Sequence, residues 1–337
     1  MRNITRIASG ALLAALIGGL STGVSAQTNA RSNARADFEK SIKGKTVAWV
    51  PMTLGVPITE MWTEVMRQSF ERYGMKFVVR DPNWNSDAQL QAVNSLINDK
   101  VDVLIVMNQN VSTLATAIKR AMDNGIYVIQ VNQMSNQASD AYVGVDWSAI
   151  GHTIAQEIVA RCGNGKGSGK VAIVQGEANA TGSVDQLNGA MEVFNADKSI
   201  KVVSSQAANW DGTKANQLTA TVLQQHPDLC ATYGFWGGMQ AGAAQAVKEA
   251  GKQATVKVYT SSDGPSSDCD MVEQGLFTKA LSYRADVQGT QIVDATLTLL
   301  QNADKPGAKH LAFFSNNYWI ADKADRNYCY KLPANKS

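Results

Sequence analysis

From Thr46 onward, short runs of apolar residues alternate with longer stretches whose apolar positions recur at helical spacing. "TVAWVPM" predicts a strand, and "ITEMWTEVMRQSFERYG" predicts a helix with Met61, Val65 and Phe70 inward and Gly74 as its stop. "KFVVRD" predicts a strand. "SDAQLQAVNSLINDK" predicts a helix with Ser86 as N-cap and Leu90, Val93, Leu96 and Ile97 inward. "VDVLIVM", "IYVIQVN" and "AYVGVD" are further buried strands, with "STLATAIKRAMDNG" a helix among them. The rhythm restarts at "WSAIGHTIAQEIVARCG" and runs through "KVAIVQG", "CATYGFW" and "VKVYTSSD" as strands. Fully apolar strands separated by amphipathic helices predict parallel sheets covered on both faces. Two α/β lobes, split near residues 144–146, fit this length better than one sheet. The likeness between the halves is architectural, without a sustained short-period repeat.

The first 26 residues break the rhythm. Arg2 and Arg6 precede "ALLAALIGGL", and Val24 and Ala26 supply the small residues of a cleavage site after Ala26. Residues 1–26 therefore predict a secretory signal peptide and an exported protein. The apolar run is too short and too glycine-broken for a membrane anchor. The 337-residue chain is 45% hydrophobic, ample for a core. Its 31 basic and 29 acidic residues leave a formal charge of +2. That balance gives no electrostatic argument for a nucleic-acid partner.

Export changes the reading of the four cysteines, which can pair in an oxidising compartment. Cys162 ends a predicted helix and Cys230 begins a predicted strand, which favours Cys162–Cys230 and leaves Cys269–Cys329. Three connectivities and free buried thiols stay open at this stage. No CxxC spacing exists, and only three histidines do. Neither a metal site nor a cofactor is expected.

Ligands of open α/β sheets bind beyond the carboxyl ends of the strands, so the residues there carry the function. They are Asn108 and Asn110 after one strand, Asn132 and Gln133 after the next, then Asp146, Trp210, Trp236, Asp263 and Tyr283. Amides and carboxylates pair with adjacent hydroxyls, and indole or phenol rings pack on C–H faces. This inventory suits a neutral polyhydroxy ligand. Asn108, Asn110 and Asp146 fit ordinary caps and turns equally well. Trp49 and Trp62 read as core, and Trp84 as a partly buried loop residue. In "GFWGGMQAG", residues 234–242, the glycines predict a tight turn that aims Trp236 into the cleft.

Catalysis finds little support. HExxH, CxxC and Walker-type motifs are absent from the sequence. His152 and His226 read as surface or packing residues. "GNGKGSGK", residues 163–170, precedes a strand, whereas a phosphate loop follows one. A transcriptional regulator would need a DNA-binding segment where the signal peptide stands.

Taken in order, "ANWDGTKA", "VLQQHPDLCATYGF", "MQAGAAQAVKEAG" and "SDGPSSDCDMVEQG" resemble the periplasmic sugar-binding proteins of ABC transporters, the type I, ribose-binding-like family. Weaker support comes from "VDVLIVM", "NGIYVIQVN" and "VGVDWSAIG". The resemblance spans roughly residues 45–311. It implies two Rossmann-like lobes joined by a three-segment hinge, with crossovers near residues 144–146, near 283–285 and after Leu311. The lobes would comprise residues 45–145 plus 285–311, and 146–284 plus 312–332. It implies a ligand set of Asn132, Gln133, Asp185, Trp210, Trp236, Asp263 and Tyr283. It also implies a monomer that delivers a sugar or polyol to the membrane permease of an ABC importer, with a chemoreceptor role as the alternative. The family's aspartate–arginine pair is here Asn132–Gln133, its asparagine–aspartate is Trp236–Gly237, and its first-helix aromatic pair is Ile58–Thr59. These departures point away from an ordinary pyranose.

Overall fold

The structure, a computed structural model, describes residues 21–332, with side chains from residue 31. The expected signal peptide lies outside these residues except for 21–26, which open helix α1 (Ser21–Ile42). The alternating region then begins with β1 (Thr46–Val50), α2 (Pro57–Arg72), β2 (Lys76–Val79) and α3 (Ser86–Asn98). It continues through β3 (Val103–Val106), α4 (Ala115–Asp123), β4 (Tyr127–Val131) and β5 (Ala141–Gly144). Pro57 sits at the start of α2, where its missing N–H costs nothing. Asn85, one residue before the expected Ser86, caps α3 by accepting from the Ala88 N–H at 2.9 Å.

The second half runs α5 (Trp147–Cys162), β6 (Lys170–Gln175), α6 (Thr181–Ala196), β7 (Lys201–Ala207), α7 (Gly212–Gln225) and β8 (Ala231–Gly234). Then come α8 (Gly237–Glu249), β9 (Lys257–Ser262), α9 (Ser266–Glu273), β10 (Lys279–Ser282) and α10 (Ala285–Asn302). Strands β11 (Leu311–Phe314) and β12 (Tyr318–Ile320) and a short 3-10 helix (Lys323–Tyr328) close the described chain.

These strands build two six-stranded sheets, ordered β11-β5-β4-β3-β1-β2 and β12-β10-β9-β8-β6-β7. Every pairing is parallel except β10 with β12. Buried runs such as Val103–Val106, with no exposed face, follow from helices covering both sides. One expectation changes. The boundary placed directly after Leu311 falls inside β11, which stays in register with β5 from Leu311↔Ala141 to Phe314↔Gly144. The chain crosses to the second sheet only between Phe314 and Tyr318.

Both favoured cysteine pairs are bonded. Cys162–Cys230 joins the end of α5 to the start of β8, and Cys269–Cys329 joins α9 to the C-terminal tail. Trp49 and Trp62 are fully buried and stack edge to face, with ring centroids 6.2 Å apart. Each indole N–H is satisfied, by the Thr63 hydroxyl and the Ala285 carbonyl respectively.

Candidate functional site: the interlobe cleft

The strand ends of the two sheets face a common pocket, lined from both lobes. The first lobe contributes Met52 and Thr53 after β1, Ile58 and Thr59 in α2, Trp84 after β2, and Met107 after β3. Asn132 and Gln133 follow β4. Trp147 opens α5, Trp210 follows β7, Phe235 and Trp236 follow β8, and Tyr283 follows β10. The empty volume, including the part open to solvent, is about 460 Å³. A wider mouth outside it is lined by Ser86, Gln109, Glu177, Asp211 and again by Trp84, Trp210 and Trp236.

Five of the expected residues meet here: Asn132, Gln133, Trp210, Trp236 and Tyr283. Asn132 is buried, with its backbone in the left-handed region at φ 61°. Its carbonyl accepts from the Trp147 indole N–H at 2.7 Å, and its side-chain Oδ1 has no protein partner. Trp147 in turn packs edge-on against Tyr283 at 5.2 Å. Burial holds the Tyr283 hydroxyl well above the usual phenol range, so it stays a neutral hydroxyl. Trp210 also adopts a left-handed backbone, φ 64°, and its indole lies over Gly176 at the end of β6, where any side chain would collide with it. Its Nε1 is buried and unpartnered.

Trp236 is positioned differently from the expected tight turn. Gly237 and Gly238 are the first residues of α8, and neither has a positive φ. Glycine is required for close approach: a side chain at Gly237 would strike the Asp268 carboxylate, and one at Gly238 would strike the Trp236 ring itself. The Trp236 Nε1–H donates to Asp263 Oδ1 at 2.8 Å, and the Tyr330 hydroxyl donates to Asp263 Oδ2 at 3.0 Å. Asp263 is thus buried behind Trp236 with both oxygens engaged, away from the pocket lining. Burial pushes its carboxyl up, the indole and phenol donors opposing that shift. Neighbouring Asp268 is pushed up to about 7, first by burial and then by Asp263.

The other expected residues lie elsewhere. Asn108 is buried, donating to Gln130 Oε1 and to the Gln133 carbonyl, each at 2.8 Å, so it props the end of β4. Asn110 Oδ1 accepts from the Thr113 N–H at 2.9 Å and closes a turn. Asp146 is exposed and caps α5 through the Ala149 N–H. Asp185 sits half-buried in α6, off the pocket, its carboxyl raised by burial and then by Asp146. For Asn110 and Asp146 the cap-and-turn alternative describes what the backbone does.

Trp84 and Trp147 were not among the expected site residues. Trp147 follows Asp146 at a strand end, which was signal enough. Trp84 had a subtler one. "NWN" at 83–85 and "NWD" at 209–211 are the same tripeptide pattern, each after the edge strand of its sheet. In both, Asn and Trp are left-handed and the third residue caps the next helix. Among the three histidines, none lines either pocket. Among the described residues, no group of three or more His, Cys, Asp or Glu is arranged to hold a metal ion, and no helix is long and apolar enough to cross a membrane.

Residues 47–304 match the periplasmic binding protein domain. The chain belongs to the periplasmic binding protein family. Within that family it is 32% identical over 229 residues to the D-allose-binding periplasmic protein of Escherichia coli (strain K12), covering 65% of this chain and 71% of that one. It is 27% identical to the ribose import binding protein of Bacillus subtilis (strain 168), covering 63% and 68%. Among solved structures, an ABC transporter solute-binding protein from Burkholderia graminis C4D1M in complex with D-arabinose superposes with a TM-score of 0.75 at 21% identity, covering 84% of this chain and 97% of that one. The Caulobacter myo-inositol binding protein bound to myo-inositol gives 0.74 at 19%, covering 84% and 95%. These neighbours share the two-lobed α/β architecture, and the family is one of binding proteins rather than enzymes.

Proposed function

We propose that this periplasmic binding protein captures a neutral monosaccharide or small polyol between its lobes and delivers it to an ABC importer. The observation that carries the reading is the pocket's composition. Flat aromatic side chains from both lobes and two primary amides of the first lobe converge on one space that no charged side chain lines. Rings of this kind pack on the C–H faces of a polyol, and the amides take its hydroxyls. An ionised ligand would find no counter-charge there, which is costly in a desolvated site. The names of the relatives, which bind allose and ribose, support the same class.

The finer reading is that the chain is exported by cleavage after Ala26 and acts as a monomer. Its two lobes hinge at three crossovers, near residues 144–147, 282–285 and 314–318. A ligand that touches both lobes favours the closed arrangement. Asn132, Gln133, Trp210, Trp236 and Tyr283 are the proposed contacts, with Asp263 acting through Trp236. Calorimetric titration of Trp236→Ala tests the site. Affinity is expected to fall by about tenfold or more, as for truncation of a buried aromatic anchor. Unchanged affinity removes Trp236 from the site.

A further inference from the structure

The pocket carries far more apolar surface than a fully hydroxylated sugar presents. Met52, Val56, Ile58, Met107 and Phe235 line it together with four indoles. Beyond the amide N–H groups of Asn132 and Gln133 and the Tyr283 hydroxyl, the polar capacity left for a ligand is small. Trp147 and Trp236 spend their N–H groups on the Asn132 carbonyl and on Asp263. The Thr53 and Thr59 hydroxyls donate to the carbonyls of Leu54 and Val56, leaving each able only to accept. Gln133 Oε1 accepts from the Gly182 N–H at 2.8 Å. Asn132 Oδ1 is the one buried acceptor in the lining without a protein partner, and Trp210 Nε1 the one such indole donor. No carboxylate faces inward to accept from several hydroxyls at once.

A second, independent feature is the pair of matching elbows. Asn83-Trp84-Asn85 and Asn209-Trp210-Asp211 present one indole from each lobe to the same pocket, on backbones that bulky residues seldom adopt. Such conformations persist where surrounding structure imposes them and cluster at binding sites. Both indoles also border the mouth, and Trp84 is 43% exposed there.

From these two observations, and resting on the sugar-or-polyol reading above, we infer that the ligand is an uncharged, hydroxyl-poor member of that class, such as a deoxysugar or a short-chain polyol, held between Trp84 and Trp210. An aldohexopyranose carries five hydroxyls, each of which must donate when buried. Most would face methionine, isoleucine or indole carbon here. A hydroxyl placed in an apolar pocket is rejected by up to about a hundredfold against the analogue lacking it.

Calorimetric titration of the ligand-free protein with matched pairs tests this: a hexose against its 6-deoxy analogue, and a hexitol against a tetritol, with a quaternary ammonium compound as a third arm. The deoxy and shorter members are expected to bind at least about tenfold more tightly than their partners. Trp84→Ala is expected to weaken the preferred member by about tenfold, with Trp84→Phe restoring most of it. A parent hexose or hexitol binding as tightly as its partner overturns the inference and leaves the sugar-or-polyol reading standing. Binding of the ammonium compound alone overturns both. Unchanged affinity in Trp84→Ala removes Trp84 from the site.

Discussion

At the scale of single residues, the strand-end rule located five pocket residues because a parallel sheet aims its carboxyl ends at one cleft. It could not say which way a side chain turns. Asp263 shows why: it ends β9 at the rim, yet Trp236 and Tyr330 claim both its oxygens, so it serves the site by fixing an indole. Asn110 and Asp146 illustrate the other ambiguity, since short polar side chains satisfy local N–H groups as readily as a ligand. The Asp268 carboxyl beside Asp263 has a consequence for pH. In the unfolded chain it ionises near the ordinary aspartate value of about 4. The folded protein holds that proton up to about 7. Between those values the native state binds more protons than the unfolded one, so stability falls as pH rises. The slope from this group is at most about 1.4 kcal/mol per pH unit. Above about 7 both forms are ionised and this contribution to the slope vanishes. Asp268→Asn removes the group, and its denaturation free energy is expected to fall less steeply between pH 4 and 7. Parallel profiles for the two proteins would show that Asp268 is ionised throughout.

At the scale of elements, the alternation of apolar runs and helical spacing was legible because the central strands are buried on both faces. Val103–Val106 and Ala231–Gly234 have no exposed residue. The tail was less legible. β11 and β12 carry mixed burial patterns, so nothing in their sequence said that one closes the first sheet and the other the second. The tail also reaches the pocket lining through Asp263. Cys329 is bonded to Cys269 in α9, and the next residue, Tyr330, pairs with Gly264 and Ser266 through its backbone while its hydroxyl reaches Asp263. Loss of this covalent tie therefore acts on Trp236 as well as on stability. In Cys269→Ser/Cys329→Ser, the bridge across a sequence separation of 60 residues is lost. The expected cost is about 2–4 kcal/mol, read by chemical denaturation. A weaker affinity with altered Trp fluorescence is expected in the same variant, because Tyr330 is freed. A stability loss with wild-type affinity would confine the disulfide to a structural role.

At the scale of the whole molecule, hydrogen bonds join the two lobes beside the cleft. The Val111 N–H donates to the Asn179 carbonyl at 3.1 Å, the Thr181 hydroxyl to the Met134 carbonyl at 2.5 Å, and the Gly182 N–H to Gln133 Oε1 at 2.8 Å. All three engage the start of α6 or the turn before it, so contact between the lobes is organised around one helix end, and Gln133 takes part in it as well as lining the pocket. Sequence indicated two lobes and a cleft, because the βα rhythm and its restart are long-range signals. It did not indicate this contact, which depends on which backbone groups of the two lobes meet. The central claim is that this cleft exists to hold a neutral sugar or polyol for import. Mass spectrometry of the small molecules released by denaturing protein isolated from its native periplasm tests it most directly. The account predicts one uncharged sugar or polyol per chain, recovered unchanged after incubation with the pure protein. A charged or non-carbohydrate ligand, or conversion of the bound compound by the pure protein, would contradict it.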